Sequence, residues 1–302
     1  MTKKATMALL LVLGLSSTTI VLAETQQTEY VLELQGPTWD HSTINLIVTP
    51  RYNETWWNPA YLNATLHAIS EWNEAISGFA SNHSDFAYLS GARITPMVSN
   101  LTNPDFDVQV SWIQQFGNET CDAGLTRTTY DTSGVISNCN TALSAFDCLG
   151  NVLSETDMQN VFLHELGHCL GLGHCNYTGD TMYFAYSLNT PLRLISTLDA
   201  YGVAQVFRWM SSSSVFSTDN QGPTINSVAL PSSIQFGYLQ VSQENLPEQS
   251  PLEVVKTFAI DLLGFTSRPE ILVLIIIAIS AVAVFVILSR KRKRQELAAP
   301  PR

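Results

Sequence analysis

The chain has 302 residues, with 15 Lys and Arg against 26 Asp and Glu and a formal net charge of −11. A surface this acidic repels nucleic acid and anionic lipid headgroups, which excludes functions built on polyanion binding. Histidine is scarce, at six residues, so any clustering among them carries information.

At the N-terminus, Lys3 and Lys4 precede an apolar run, and the small residue Ala23 stands before the first acid, Glu24. That is the layout of a secretory signal peptide over 1–23, followed by a short segment, 24–37. Ile44, Leu46 and Val48 then alternate and predict a strand over 44–51. Leu62, Leu66, Ile69, Trp72 and Ile76 recur at steps of three and four, which makes one apolar stripe of a helix. Val108, Val110 and Trp112 predict a second strand over 107–113, and GVISNCNTAL at 134–143 a third. Ser154 with Asp157 three residues later is a helix-opening pair ahead of MQNVFLHELGHCLG. On that helix Met158, Val161, Phe162 and Leu166 can face a core, while Gly171 and Gly173 mark its end. Ser196 with Asp199 opens a last helix. These elements make one mixed α/β domain over 38–209.

Beyond Met210 the sequence turns polar, and 210–268 reads as a stalk, a small second domain within it being the alternative. Ile271 to Leu288 carry no charge and come close to spanning a hydrocarbon core, so 269–289 reads as a transmembrane helix. The basic run from Arg290 to Arg294 then places the tail, 290–302, in the cytoplasm and the domain outside. Between the two ends, residues 24–268 hold seven basic residues against 24 acids, the full 26 less Glu270 and Glu296. Six N-x-S/T sequons, at Asn53, Asn63, Asn82, Asn100, Asn118 and Asn176, fall on that outer side.

Five cysteines lie there too, where disulfides persist, and an odd number leaves at least one thiol unpaired. Cys169 follows a histidine on the helix and is the expected buried thiol. Cys121, Cys139, Cys148 and Cys175 are then expected to form two bridges. The sharper alternative for Cys175, beside His174, is a reactive thiol of lowered pKa.

The stretch HELGHCLGLGH, residues 164–174, holds half of the histidines. His164 and His168, four apart on a helix, project from one face and can grip one metal ion. Gly171 lets the chain leave the helix in a conformation costly for other residues, so that His174 can return to the same ion. Three neutral imidazoles leave a position open for water, as in catalytic rather than structural zinc sites. Glu165 is placed to act as the base for that water, which points to hydrolysis of an amide.

These residues resemble the metzincin zinc metalloproteases, and LGLGH resembles the matrixin branch in particular. The resemblance implies a Met-turn, supplied here by Met182 in GDTMYFAY. Tyr183 and Tyr186 are similar to the matrixin residues that follow that methionine, whereas Phe184 stands where matrixins usually carry proline. Tyr186 is thereby a candidate donor to the oxyanion or part of the pocket wall. The implied fold is a twisted five-stranded sheet, mostly parallel, with an antiparallel edge strand beside the cleft. That edge is assigned to 134–143.

Three features depart from the family pattern. About twenty residues between the expected cleavage site and the first strand are too few for an inhibitory prodomain with a zinc-binding cysteine. His41, His67 and His83 all precede the strand at 107, leaving a second, structural zinc without evident ligands. Cys175 stands where matrixins usually have a small or polar residue. The implied cofactor is one catalytic zinc, and no motif decides for or against calcium. The leading expectation is a membrane-anchored, outward-facing zinc endopeptidase with polypeptide as its partner. A zinc-bearing adhesion module without catalysis and a zinc amidase acting on cell-wall peptides use the same ligands. The intact Glu165 argues against the adhesion module.

Overall fold

The computed structural model describes residues 29–99, 106–117, 121–213, 215–221 and 224–239. The expected signal peptide, transmembrane helix and tail lie outside these residues, as do Asn100 and Asn118. Among the described residues no helix is long and apolar enough to cross a membrane.

In chain order the elements are β1 (Val31–Leu34), β2 (Thr43–Thr49), α1 (Ala60–Asn82), β3 (Arg93–Val98), β4 (Val108–Ile113) and β5 (Gly124–Tyr130). They continue with β6 (Ile136–Ser144), α2 (Glu155–Cys169), β7 (Leu172–Cys175), α3 (Thr197–Val206) and β8 (Ser227–Ala229). Five strands form one sheet in the order β3-β2-β4-β6-β5, parallel except for β5, which runs antiparallel to β6. The mixed sheet expected from the sequence is present, but its antiparallel edge is not 134–143. That stretch is β6, an interior strand whose Ile136, Cys139, Thr141 and Leu143 are buried. The edge is β5, whose Thr-rich sequence leaves no apolar alternation to read.

The stripe on α1 packs as its periodicity requires: Leu62, Ile69, Trp72 and Ile76 are buried, and Leu66 is partly so. Trp72 Nε1 donates to the Leu163 carbonyl at 3.0 Å, tying α1 to the turn of α2 that precedes His164. Both predicted helix starts close as capping boxes, with Ser154 and Asp157 opening α2 and Ser196 and Asp199 opening α3. Each satisfies backbone N–H groups that the first helical turn leaves without partners, typically worth about 1 kcal/mol.

A second sheet, β7-β1-β8, is antiparallel throughout. It carries the folded unit past 38–209 at both ends, since β1 precedes residue 38 and β8 lies within the expected stalk. Buried Leu32, Val228 and Ile234 explain why these flanks are folded. Strands of three or four residues are too short to show a period.

The disulfides join Cys121 to Cys148 and Cys139 to Cys169, and Cys175 is a buried free thiol. The expected roles of Cys169 and Cys175 are therefore exchanged. Cys169 ends α2 within reach of β6, at a Cα separation of 5.7 Å from Cys139. On β7 alternate residues point to opposite faces, so exposed His174 and buried Cys175 part company. Burial pushes the Cys175 thiol up to about 12, which argues against the reactive-thiol alternative.

Candidate metal centre

Three elements converge on the centre. Helix α2 presents His164 and His168, β7 presents His174, and one ring nitrogen from each lies within 4.8 Å of the others. Gly171 makes the required exit from the helix at φ 90°, and a Cβ there would press on Val206 and the Pro37 carbonyl. Nδ1 of His164 lies 2.9 Å from the Thr181 carbonyl, and Nδ1 of His168 lies 2.9 Å from the Leu172 carbonyl. A carbonyl only accepts, so each Nδ1 carries the proton and each Nε2 keeps its lone pair. Burial, chiefly, pushes His164 down to about 3 and His168 down to about 4, holding both imidazoles neutral. Their Nε2 atoms nonetheless face each other at 3.0 Å. Two facing lone pairs at that distance repel unless a cation lies between them, so the donor set fits a zinc ion with a free position.

Glu165 is buried and lines the same cavity, of about 500 Å³, with one carboxylate oxygen, Oε2, left without a hydrogen-bond partner. Burial pushes its carboxyl up to about 7, with the Asp122 charge acting in the same direction. Two features of β5 hold it in place. Thr126 Oγ1 donates to the Glu165 carbonyl at 3.2 Å, and Gly124 leaves room for the side chain. A Cβ at Gly124 would fall 2.5 Å from Glu165 Oε1.

Met182 is fully buried beneath α2 at Gly167, where its sulfur occupies the space a side chain would need. Its turn is fixed by Asp180, which accepts from Met182 N at 2.8 Å and from Ser196 Oγ at 2.8 Å. Asp199 lies fully buried beside this pair. Burial, and then the Asp180 charge, hold its carboxyl well above the usual range.

Residues 63–208 match the model of the matrixin peptidase family. The chain contains a matrixin domain. None of the curated proteins compared with it matches the sequence. The matrixin domain is of a zinc metallopeptidase type, and its three histidines are the group that can hold the ion. The match begins inside α1 and ends at the start of the 3-10 turn after α3, so β1, β2 and β8 lie outside it.

Tyr186 lines the cavity, but its hydroxyl donates to Asp157 Oδ1 at 2.6 Å and so is committed away from an oxyanion. The geometry makes it pocket wall. Phe184 is 67 % exposed, with its ring 6.4 Å from that of His174, and forms an apolar lip. Several residues of the site have no local signal in the sequence. Asp157 also accepts from Asn189 N, and Asn160 accepts from Arg193 N, both at 2.7 Å, pinning the segment after the Met-turn to α2. Asp157 was legible as a helix cap and not as the anchor of Tyr186 and Asn189. Of the sequons, Asn53, Asn63 and Asn82 are exposed. Asn176 is exposed too, yet its side chain accepts from Val31 N and donates to the Glu29 carbonyl.

Proposed function

We propose that the protein is a membrane-anchored zinc endopeptidase that works outside the cell on extended polypeptide. One observation carries the hydrolytic reading: a three-histidine donor set and a buried carboxylate with an unpartnered oxygen share one open cavity. Anchoring and outward orientation are supported by the charge-free run at 271–288, the basic residues after it and the signal-peptide layout at 1–23.

When bound, a zinc ion supplies a Lewis acid that polarises the scissile carbonyl and acidifies a water. The chain's own residues do the rest. His164 and His168, their tautomers fixed by backbone carbonyls, keep Nε2 available at neutral pH. Glu165 accepts the proton of the attacking water and returns it to the departing amine, a role suited to a carboxyl pushed toward neutrality. The free edge of β5 can pair with the backbone of an extended substrate, so that recognition does not depend on a folded partner.

The test is Glu165→Gln in a chain spanning 24–268. Zinc content should stay at the parent level, while turnover of a diverse peptide pool falls by about a hundredfold or more. Parent-like turnover in the variant, or cleavage that persists in a chelator, would refute the mechanism.

A further inference from the structure

We infer that the cavity selects substrates with an acidic side chain flanking the scissile bond, and that Arg193 recognises it. This rests on the peptidase reading above. Arg193 is, among the described residues, the only lysine or arginine lining the cavity. Among the described residues no salt bridge joins the guanidinium to a carboxylate. Instead it is braced by neutral groups. Nη1 donates to the Asp180 carbonyl at 3.2 Å and Nη2 to the Ala185 carbonyl at 3.1 Å. Its central carbon lies 5.4 Å from the centroid of the Tyr186 ring.

Those two bonds leave three of the five guanidinium N–H groups, arranged in a planar fork that matches a carboxylate. The other polar groups on this wall are already spent. Tyr186 donates to Asp157, Asn160 Nδ2 serves Tyr186 and the Pro191 carbonyl, and Asn160 Oδ1 accepts from Arg193 N. The Asp180 carboxylate is turned to Met182 N and Ser196 Oγ. The direct hydrogen bonds of this partly buried cation go only to carbonyl oxygens, and although the Tyr186 ring and the Asp180 charge also favour it, no carboxylate touches it, which leaves room for an anion. Val161, Leu188 and the Tyr186 ring supply apolar surface for the methylenes of such a side chain. The opposing charges, Asp122 and Asp147, line the cavity from the β5 side, and Asp147 is turned to the amides of Leu149 and Asn151 in its own loop. The cavity is thus electrically polarised, favouring an acid at Arg193 and opposing one near β5.

Paired peptides that differ only as Glu or Gln, placed in turn on each side of the scissile bond, test this. Both kcat/KM for the zinc-loaded 24–268 chain and the Kd for its Glu165→Gln variant should be measured. At one flank, Glu should exceed Gln by about tenfold in both readouts, with the ratio shrinking as salt rises. Arg193→Gln should bring the ratio to one, and Arg193→Lys should retain part of it. A Glu-to-Gln ratio of one in the parent, or a ratio insensitive to salt, overturns the inference and requires no variant to fold. A Glu preference that survives Arg193→Gln overturns it as well. Selective binding without cleavage of any peptide would leave Arg193 as the reader and remove the peptidase reading instead.

Discussion

The two sheets meet the metal centre by different means. The five-stranded sheet reaches it through β5, where a glycine and a hydroxyl lie against Glu165. The three-stranded sheet reaches it through β7, which carries His174 and is held by backbone pairing, Leu32 with Cys175 and Leu34 with Leu172. Placement of the base is a matter of steric fit against a strand 39 positions earlier in the chain. Placement of the third ligand depends on partners remote in the chain, such as Val31, which bonds to Asn176 across 145 positions. Damage to the first sheet should therefore appear in turnover, and damage to the second in metal retention.

The sharpest way to break that comparison is to remove β8 and the strap behind it. Thr197 N donates to the Gly237 carbonyl, Leu239 N to the Ile195 carbonyl, and Tyr238 Oη to the Gly179 carbonyl in the loop between His174 and Met182. Phe236 packs on Tyr30 and Tyr177. A chain ending at Ser211 loses all of this together with buried Val228 and Ile234, a loss of roughly 3–6 kcal/mol from apolar burial and hydrogen bonds. We expect such a chain to melt at a much lower temperature and to hold zinc weakly, while one ending at Leu239 behaves like the parent. Equal zinc affinity for the two truncations would show that β7 holds His174 without its neighbours.

The same contrast explains what was legible in the sequence. Helices α1 and α2 and both capping boxes rest on local spacing, and all four appear where that spacing put them. The converging histidines are local as well, two from a helical period and one from a glycine exit. The second sheet was missed because β1, β7 and β8 contain four, four and three residues. The stretch 134–143 reads as a strand without strong alternation, and nothing local in it says whether another strand lies beyond it. Cysteine pairing turned on which face of β7 Cys175 occupies, and that is a tertiary fact. Asp180 and Arg193 act through contacts made after the chain has folded.

On the side of the first sheet, Gly124→Ala isolates the base. The added methyl meets the carboxylate end of Glu165, which can swing away while the backbone stays in place. Misplacing a catalytic group by about an ångström costs on the order of tenfold to a hundredfold in kcat. Zinc content and KM should change little, because neither the histidines nor the outer edge of β5 is touched. A variant that loses zinc in proportion to activity would show that the two sheets are not separable in this way.

The smallest expected effect lies away from both sheets' contributions, where α1 packs on α2. Glu71 is buried, its Oε1 accepts from Gln159 Nε2 at 2.5 Å, and its Oε2 has no partner. Burial pushes its carboxyl up to about 7, the Gln159 bond pulls it down, and the Glu74 charge adds to the rise. The folded state therefore binds this proton more tightly than the unfolded chain, whose value is near 4.5. Its contribution to stability is complete below about 4.5, falls as pH rises through the interval, and is lost above about 7. Glu71→Gln keeps an acceptor for Gln159 and removes the titration. Relative to the parent, its stability should be nearly unchanged at pH 4.5 and higher by about 1–2 kcal/mol at pH 8, a figure reduced from the full shift because the pair retains some contact with water. Denaturant melts at the two pH values measure this directly, with zinc affinity and kcat/KM as controls that should not move. A variant with the parent's slope of stability against pH would mean that Glu71 remains charged where it lies, and that the packing of α1 on α2 tolerates a buried carboxylate.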